Sequence, residues 1–223
     1  MTTRMLDSIG STADNIPTTT TKVAGYVTGT GGVPWSALEW TRFAKSGRVR
    51  IDQSPGAVDP LGSDVLDVES GASPAAAAVD WLKARIANNR PVGAVYGSGD
   101  ALTAVEAAFK AGGVSPANHL YVWLADWNLN EAEATALLGK IMYGMEVAAV
   151  QWASPSSNPS TIMPGSAMTL KQANVDLSVT LDGFFPPPIT PPPPPVVLTA
   201  QLAAGIAPPA RTITSHDGGK TWK

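Results

Sequence analysis

Val65-Leu66-Asp67-Val68-Glu69-Ser70 is the stretch that decides how this chain is read. Side chains alternate along a strand, so Asp67 and Glu69 share one face while Leu66 and Val68 share the other. A strand buried on both faces is a near-continuous run of Val, Ile and Leu. Acids inside such a run are costly to bury unless they are paired or hydrogen-bonded. Two readings stay open from these residues. One is a structural acid pair at a strand end, and the other is a carboxylate pair of the kind that glycosidic bond cleavage uses.

Outward from this strand the chain alternates between strand and helix signals. Strands are expected over 4–9, 23–27, 48–53, 65–69, 91–96, 120–125, 146–152 and 175–180. Ser36-Ala37-Leu38-Glu39 is a capping box opening a helix to about Ser46, with Gly47 as its C-terminal cap. Ser73-Pro74 marks an N-cap followed by proline for a helix running to about Asn89. Asp100 caps a helix that ends at Gly112-Gly113, and Asn130 with Glu133 caps one through Ile141 and Met142. The connections after the first and third strands are loop-like. The glycine cluster Gly29 to Gly32 lacks the spacing of a phosphate loop and reads as a turn.

Eight strands separated by helices predict an α/β fold with a parallel sheet. Eight is also the number that closes a (β/α)8 TIM-like barrel. The expectation is an irregular barrel with some helices missing, and an open doubly wound sheet is the alternative. Residues 1–185 form this domain, 186–195 a proline-rich linker in polyproline II, and 196–223 a tail too short for its own core.

Composition narrows the chemistry. Hydrophobic residues make up 44% of the 223, enough for a real core, and the net charge of −3 offers no footprint for nucleic acid. There is no cysteine and there are only two histidines, His119 and His216, so neither a metal nor a cofactor is expected. No signal peptide precedes the first strand, and no run of about 18 apolar residues is present to span a membrane. An exported target would have to be reached by lysis or by delivery on a particle.

In a barrel of this kind functional residues sit at the C-terminal ends of strands. Those ends carry Asp7, Asp52, Asp67, Glu69, Tyr96, Asp126, Gln151 and Trp152, with Trp123 and Tyr121 alternating on the sixth strand. Acids and aromatics converging with few basic residues make a carbohydrate-cleft composition. Asp126 serves equally well as a helix cap.

In order along the chain, Asp7, Asp67-Val68-Glu69, Tyr96, Trp123-Leu124-Ala125, Val150-Gln151-Trp152 and Val175-Asp176-Leu177 resemble the family 25 glycoside hydrolases, the lysozyme-like muramidases. The resemblance is to the divergent glycoside hydrolase-like barrel of actinobacterial cell-wall proteins and actinobacteriophage tail or lysis proteins, and it covers about residues 4 to 185. It implies Glu69 as the general acid, Asp67 as its partner, Asp7 as the strand-one acid of the cleft and Asp176 as the acid of the last strand. Asp52, Tyr96, Trp123, Asp126, Gln151 and Trp152 would then bind substrate. The chain departs from the family in its short length, its missing helices and the lack of a wall-binding repeat. Fold alone does not assure activity.

The resemblance implies a phage-borne hydrolase of cell-wall peptidoglycan, virion-associated or released on host lysis. The alternative is a non-catalytic glycan-binding or structural component of a phage tail. The tail, with the linker, would tether the barrel to a protein partner in the tail assembly. Its Ser215-His216-Asp217-Gly218-Gly219-Lys220-Thr221-Trp222 is similar to the Asp-box hairpin of sialidase-type propellers, where it is structural.

Overall fold

The computed structural model describes residues 2–28, 33–53, 62–69, 72–90 and 92–184. The glycine cluster at 29–32, the linker, the tail and its Asp-box motif lie outside these residues.

Nine strands follow in chain order: β1 (Thr2–Ser8), β2 (Lys22–Tyr26), β3 (Gly47–Asp52), β4 (Val65–Asp67), β5 (Gly93–Ser98), β6 (Leu120–Ala125), β7 (Ile141–Met142), β8 (Met145–Ala153) and β9 (Asp176–Leu181). The helices are α1 (Ala37–Arg42), α2 (Ala77–Ala87), α3 (Gly99–Gly112), α4 (Glu131–Leu137) and α5 (Leu170–Ala173), with a 3-10 turn at Gly10–Asn15 after β1. The sheet runs β6-β5-β4-β3-β2-β1-β9-β8, and β8 pairs back onto β6. That pairing closes a barrel of eight strands and excludes an open doubly wound sheet.

The barrel is mixed. β9 runs antiparallel to both β1 and β8, whereas the other pairings around the ring are parallel. Expected strand number and closure are therefore met, while strand direction departs from a uniformly parallel barrel. Helical cover is uneven. Among the described residues only α2 and α3 exceed ten residues, and α5 has four.

Two apolar layers follow from strand alternation. Met5, Ala24, Val49, Ile51, Val65, Ala94, Trp123 and Ala148 fill the ring. Leu6, Val23, Leu66, Val95, Val122 and Val150 face outward and pack with Trp81, Leu82, Leu102, Val105 and Phe109 from the helices. The floor is closed by Phe184 and by the buried ammonium of Lys22, which donates to the carbonyl of Phe184, to Thr180 Oγ1 at 3.3 Å and to the Leu181 carbonyl at 3.4 Å. Desolvation lowers the Lys22 pKa to about 8.

Several local expectations need correction. Ile141 and Met142 are not helical: α4 stops at Leu137, and the two residues form β7, a hairpin with β8. Tyr143 and Gly144, with φ of 53° and 75°, supply the two left-handed residues that such a tight hairpin turn requires. The cap of α3 is Ser98 rather than Asp100, which sits in the first turn. Helix α2 begins at Ala77, beyond Ser73-Pro74, and has no side-chain cap. Gly47 opens β3 instead of closing α1, which ends at Arg42. The capping boxes at Ser36/Glu39 and Asn130/Glu133 both form.

Candidate functional site

At one mouth of the barrel the inward positions carry acids, tyrosines and an amide. β1 brings Asp7, β2 Tyr26, β4 Asp67, β5 Tyr96, β8 Gln151 and β9 Asp176. Register sets them side by side. Asp67 pairs with Tyr96, Tyr96 with Trp123, and Asp7 with Asp176. Glu69 stands just past the end of β4. The ladder nevertheless continues by one step there, with the Val68 amide donating to the Tyr96 carbonyl at 2.9 Å. Glu69 is thereby turned to the same side as Asp67, as strand alternation requires.

Asp67 is almost fully buried and is well supplied with donors. The Glu69 amide donates to its Oδ1 at 2.9 Å. Gln53 Nε2 donates to Oδ2 at 2.9 Å, and the Tyr26 hydroxyl donates to the same oxygen at 3.4 Å. Desolvation raises the Asp67 pKa, and these bonds work against the rise by favouring the charged form.

Glu69 differs. It is half-buried, and its pKa is raised to about 7, first by desolvation and then by the charge of Asp67, with the Tyr96 hydroxyl opposing. The two neighbouring carboxyls are thus driven apart, one equipped to stay ionised and the other to keep a proton near neutrality.

A second pair lies across the β1–β9 ladder. Burial and then the charge of Asp176 raise the Asp7 pKa well above the carboxylate range. Its Oδ2 accepts from Gln151 Nε2 at 3.1 Å, and its Oδ1 is buried without a hydrogen-bond partner. Asp176 is raised to about 7 by desolvation and by Glu69. The Tyr96 hydroxyl donates to Gln151 Oε1 at 2.7 Å, so Tyr96, Gln151 and Asp7 form a continuous polar row.

Glycine shapes the rim. At Gly97 a Cβ would lie 3.2 Å from Val68 Cγ2 and 3.8 Å from Glu69 Cγ, so this glycine lets the turn after β4 sit close against β5. At Gly25 a Cβ would lie 2.4 Å from the Trp35 ring, whose Nε1 donates to the Ser8 carbonyl at 2.8 Å and pins the end of β1 beside Asp7.

The structure gathers Asp7, Asp67, Glu69, Tyr96, Gln151 and Asp176 and leaves four other candidates elsewhere. Asp52 follows inward-facing Ile51, so it faces outward, where it is fully buried and accepts from Thr28 Oγ1. Trp123 lies beneath the mouth rather than on an open wall. It is completely buried, its ring is tilted against Tyr96 at 4.8 Å, and its Nε1 donates to Ser178 Oγ at 3.1 Å. Trp152 packs in the outer apolar layer. Asp126 is the acceptor of an Asx turn with Asn128, while Asn130 caps α4.

Sequence reasoning missed Tyr26, Gln53 and Ser178. Tyr26 and Ser178 carry a usable signal, since each is two residues from an inward position, Ala24 and Asp176. Gln53 lies beyond the end of β3, where alternation no longer guides. Among the described residues no group of three acid or histidine side chains is arranged to hold a metal ion, and no helix is long and apolar enough to cross a membrane.

Comparison of the chain with protein families, with curated proteins and with solved structures gives no match.

Proposed function

We propose that this protein is a glycoside hydrolase of bacterial cell-wall peptidoglycan, of the muramidase type, with Glu69 as the general acid. The observation that carries the reading is the contrast between two adjacent carboxyls. Asp67 accepts from Gln53, Tyr26 and the Glu69 amide, whereas Glu69 is half-buried with its pKa raised to about 7. A group of that kind protonates a glycosidic oxygen at neutral pH, and an ionised neighbour stabilises the oxocarbenium-like state that follows. Asp7 and Asp176 enclose the other side of the mouth. The sequence resemblance to the family 25 barrels supports the same roles, and we read the mixed barrel as an irregular descendant of the (β/α)8 plan. Delivery on a phage tail or release at lysis is part of the proposal, with the C-terminal segment as the tether.

The test is release of soluble muropeptides and new reducing ends from purified cell walls. The protein should release them, and Glu69→Gln, with its fold intact by circular dichroism, should lose at least a hundredfold in rate. Release by Glu69→Gln at the unaltered rate would remove Glu69 from the reaction. Wall binding without release by the unaltered protein would leave a glycan-binding or structural module.

A further inference from the structure

Gln53 stands one residue past β3, yet its side chain reaches Asp67 at 2.9 Å. What sets its direction lies outside the mouth. The β2–β3 ladder continues one step beyond Tyr26, with the Val27 amide donating to the Ile51 carbonyl at 2.8 Å. Thr28 follows, 8% exposed, and its hydroxyl meets two consecutive residues at the end of the neighbouring strand. It donates to Asp52 Oδ1 and accepts from the Gln53 backbone amide at 3.2 Å. A hydroxyl has a proton and two lone pairs, so both bonds form at once. Asp52, fully buried and facing away from the mouth, takes the proton and leaves a lone pair for the Gln53 amide. The backbone of Gln53 is thereby held, and its Nε2 donates to Asp67 Oδ2. Every link from Asp52 to Asp67 is a hydrogen bond or the Gln53 residue itself.

We propose that Thr28 is a positioning residue for Asp67: its hydroxyl, oriented by Asp52, holds Gln53 where the side-chain amide keeps the Asp67 carboxylate ionised beside Glu69. The inference rests on the glycosidase reading for its purpose, since an ionised partner must stand ready as the acid gives up its proton. Asp67 is 2% exposed, so fixed donors weigh more than water in deciding its charge. A glutamine whose backbone is already held has less freedom to lose when it donates. Other titratable groups face the same carboxylate. Tyr26 comes from β2, Tyr96 from β5 and Glu69 from beyond β4, with Asp7 from β1 and Asp176 from β9 completing the group. Asp7, Glu69, Tyr96 and Asp176 act on Asp67 without passing through Thr28. Tyr26 is two residues from Thr28, so its contribution has to be separated by experiment.

A double-mutant cycle of Thr28→Val with Gln53→Ala makes that separation without substrate. The full chain is labelled at carboxyl carbons, and the Asp67 resonance is titrated by NMR, with Asp67→Asn providing the assignment. Thr28→Val keeps the side-chain shape and removes the hydroxyl, and it should lower the Asp67 acidity constant by about threefold or more. Thr28→Ser should restore the parent value. Made in the Gln53→Ala protein, Thr28→Val should move the midpoint far less. Equal shifts in both backgrounds would mean that Thr28 acts through Tyr26 or through packing, and would overturn the proposal. A Thr28→Ser protein that titrates like Thr28→Val would overturn it too. Where Thr28→Val does not fold, the unaltered protein decides. Its Gln53 backbone amide should exchange with solvent about a hundredfold or more slower than in an unstructured peptide, and an amide that exchanges freely ends the proposal. Wall hydrolysis by the unaltered protein is measured beside these. Coupling without hydrolysis ends the enzymatic reading alone, and hydrolysis without coupling ends this inference alone.

Discussion

Asp7 and Asp176 stand directly opposite each other across the antiparallel β1–β9 ladder, both turned into the barrel. Like charges at such a position repel. Burial adds to the repulsion, and both groups have raised pKa values, Asp176 to about 7. At least one of the pair therefore stays neutral when the protein is folded near neutral pH.

Stability should accordingly fall as pH rises. Glu69 and Asp176 have folded pKa values near 7, against ordinary values of 4.5 and 3.8. Their protonated forms stabilise the fold fully below the unfolded values. That contribution is lost as pH rises through about 7. Thermal unfolding from pH 5 to pH 8 should show a falling Tm, with about 2–4 °C lost per kcal/mol for a chain of this size. Asp176→Asn should flatten the curve. A Tm that climbs over this range would contradict the assignment.

Under the proposed function, hydrolysis should follow the proton on Glu69. With its pKa near 7, the rate on cell walls should decline above neutrality in step with loss of the acid form. Removing Gln53 or the Tyr26 hydroxyl, which donate to Asp67, should lower the rate by making the ionised Asp67 less favourable. The rate–pH profiles of Gln53→Ala and Tyr26→Phe check this.

Gly25→Ala should cost about 1–3 kcal/mol, because its new Cβ would meet the Trp35 ring at 2.4 Å. The strain reaches the site, since Trp35 holds the Ser8 carbonyl next to Asp7. Chemical denaturation measures the cost. A variant as stable as the parent would show that the ring yields freely.

Trp123→Ala should destabilise by about 3–5 kcal/mol by leaving a cavity beneath the mouth. Trp123→Phe should cost less, losing mainly the bond to Ser178. Denaturant midpoints order the two variants, and a reversed order would contradict the packing role.

The strands were legible in the sequence because apolar runs punctuated by glycine and proline carry a local signal. All eight members of the ring fall within a few residues of expectation. Closure was expected from number alone, but the reversal of β9 was not. Direction depends on which edge a strand finds, and Val175 to Thr180 reads the same either way. Ile141 and Met142 were misplaced because their apolar character continues the pattern of α4, whereas the turn is made by Tyr143, a residue with no strong turn preference. Within the site, Asp7, Asp67, Glu69 and Asp176 were found as acids in apolar runs. Asp52 satisfies the same criterion but faces outward, because it follows inward-facing Ile51. The role of Gln151 as a bridge depends on Asp7 and Tyr96, which are far away in sequence.

The reversed last strand also decides where the molecule can be held. β9 descends from the acidic mouth to the plugged floor, so the described chain takes its leave at Phe184, at the end remote from Glu69. A support gripping the protein by that end would leave the opening turned outward.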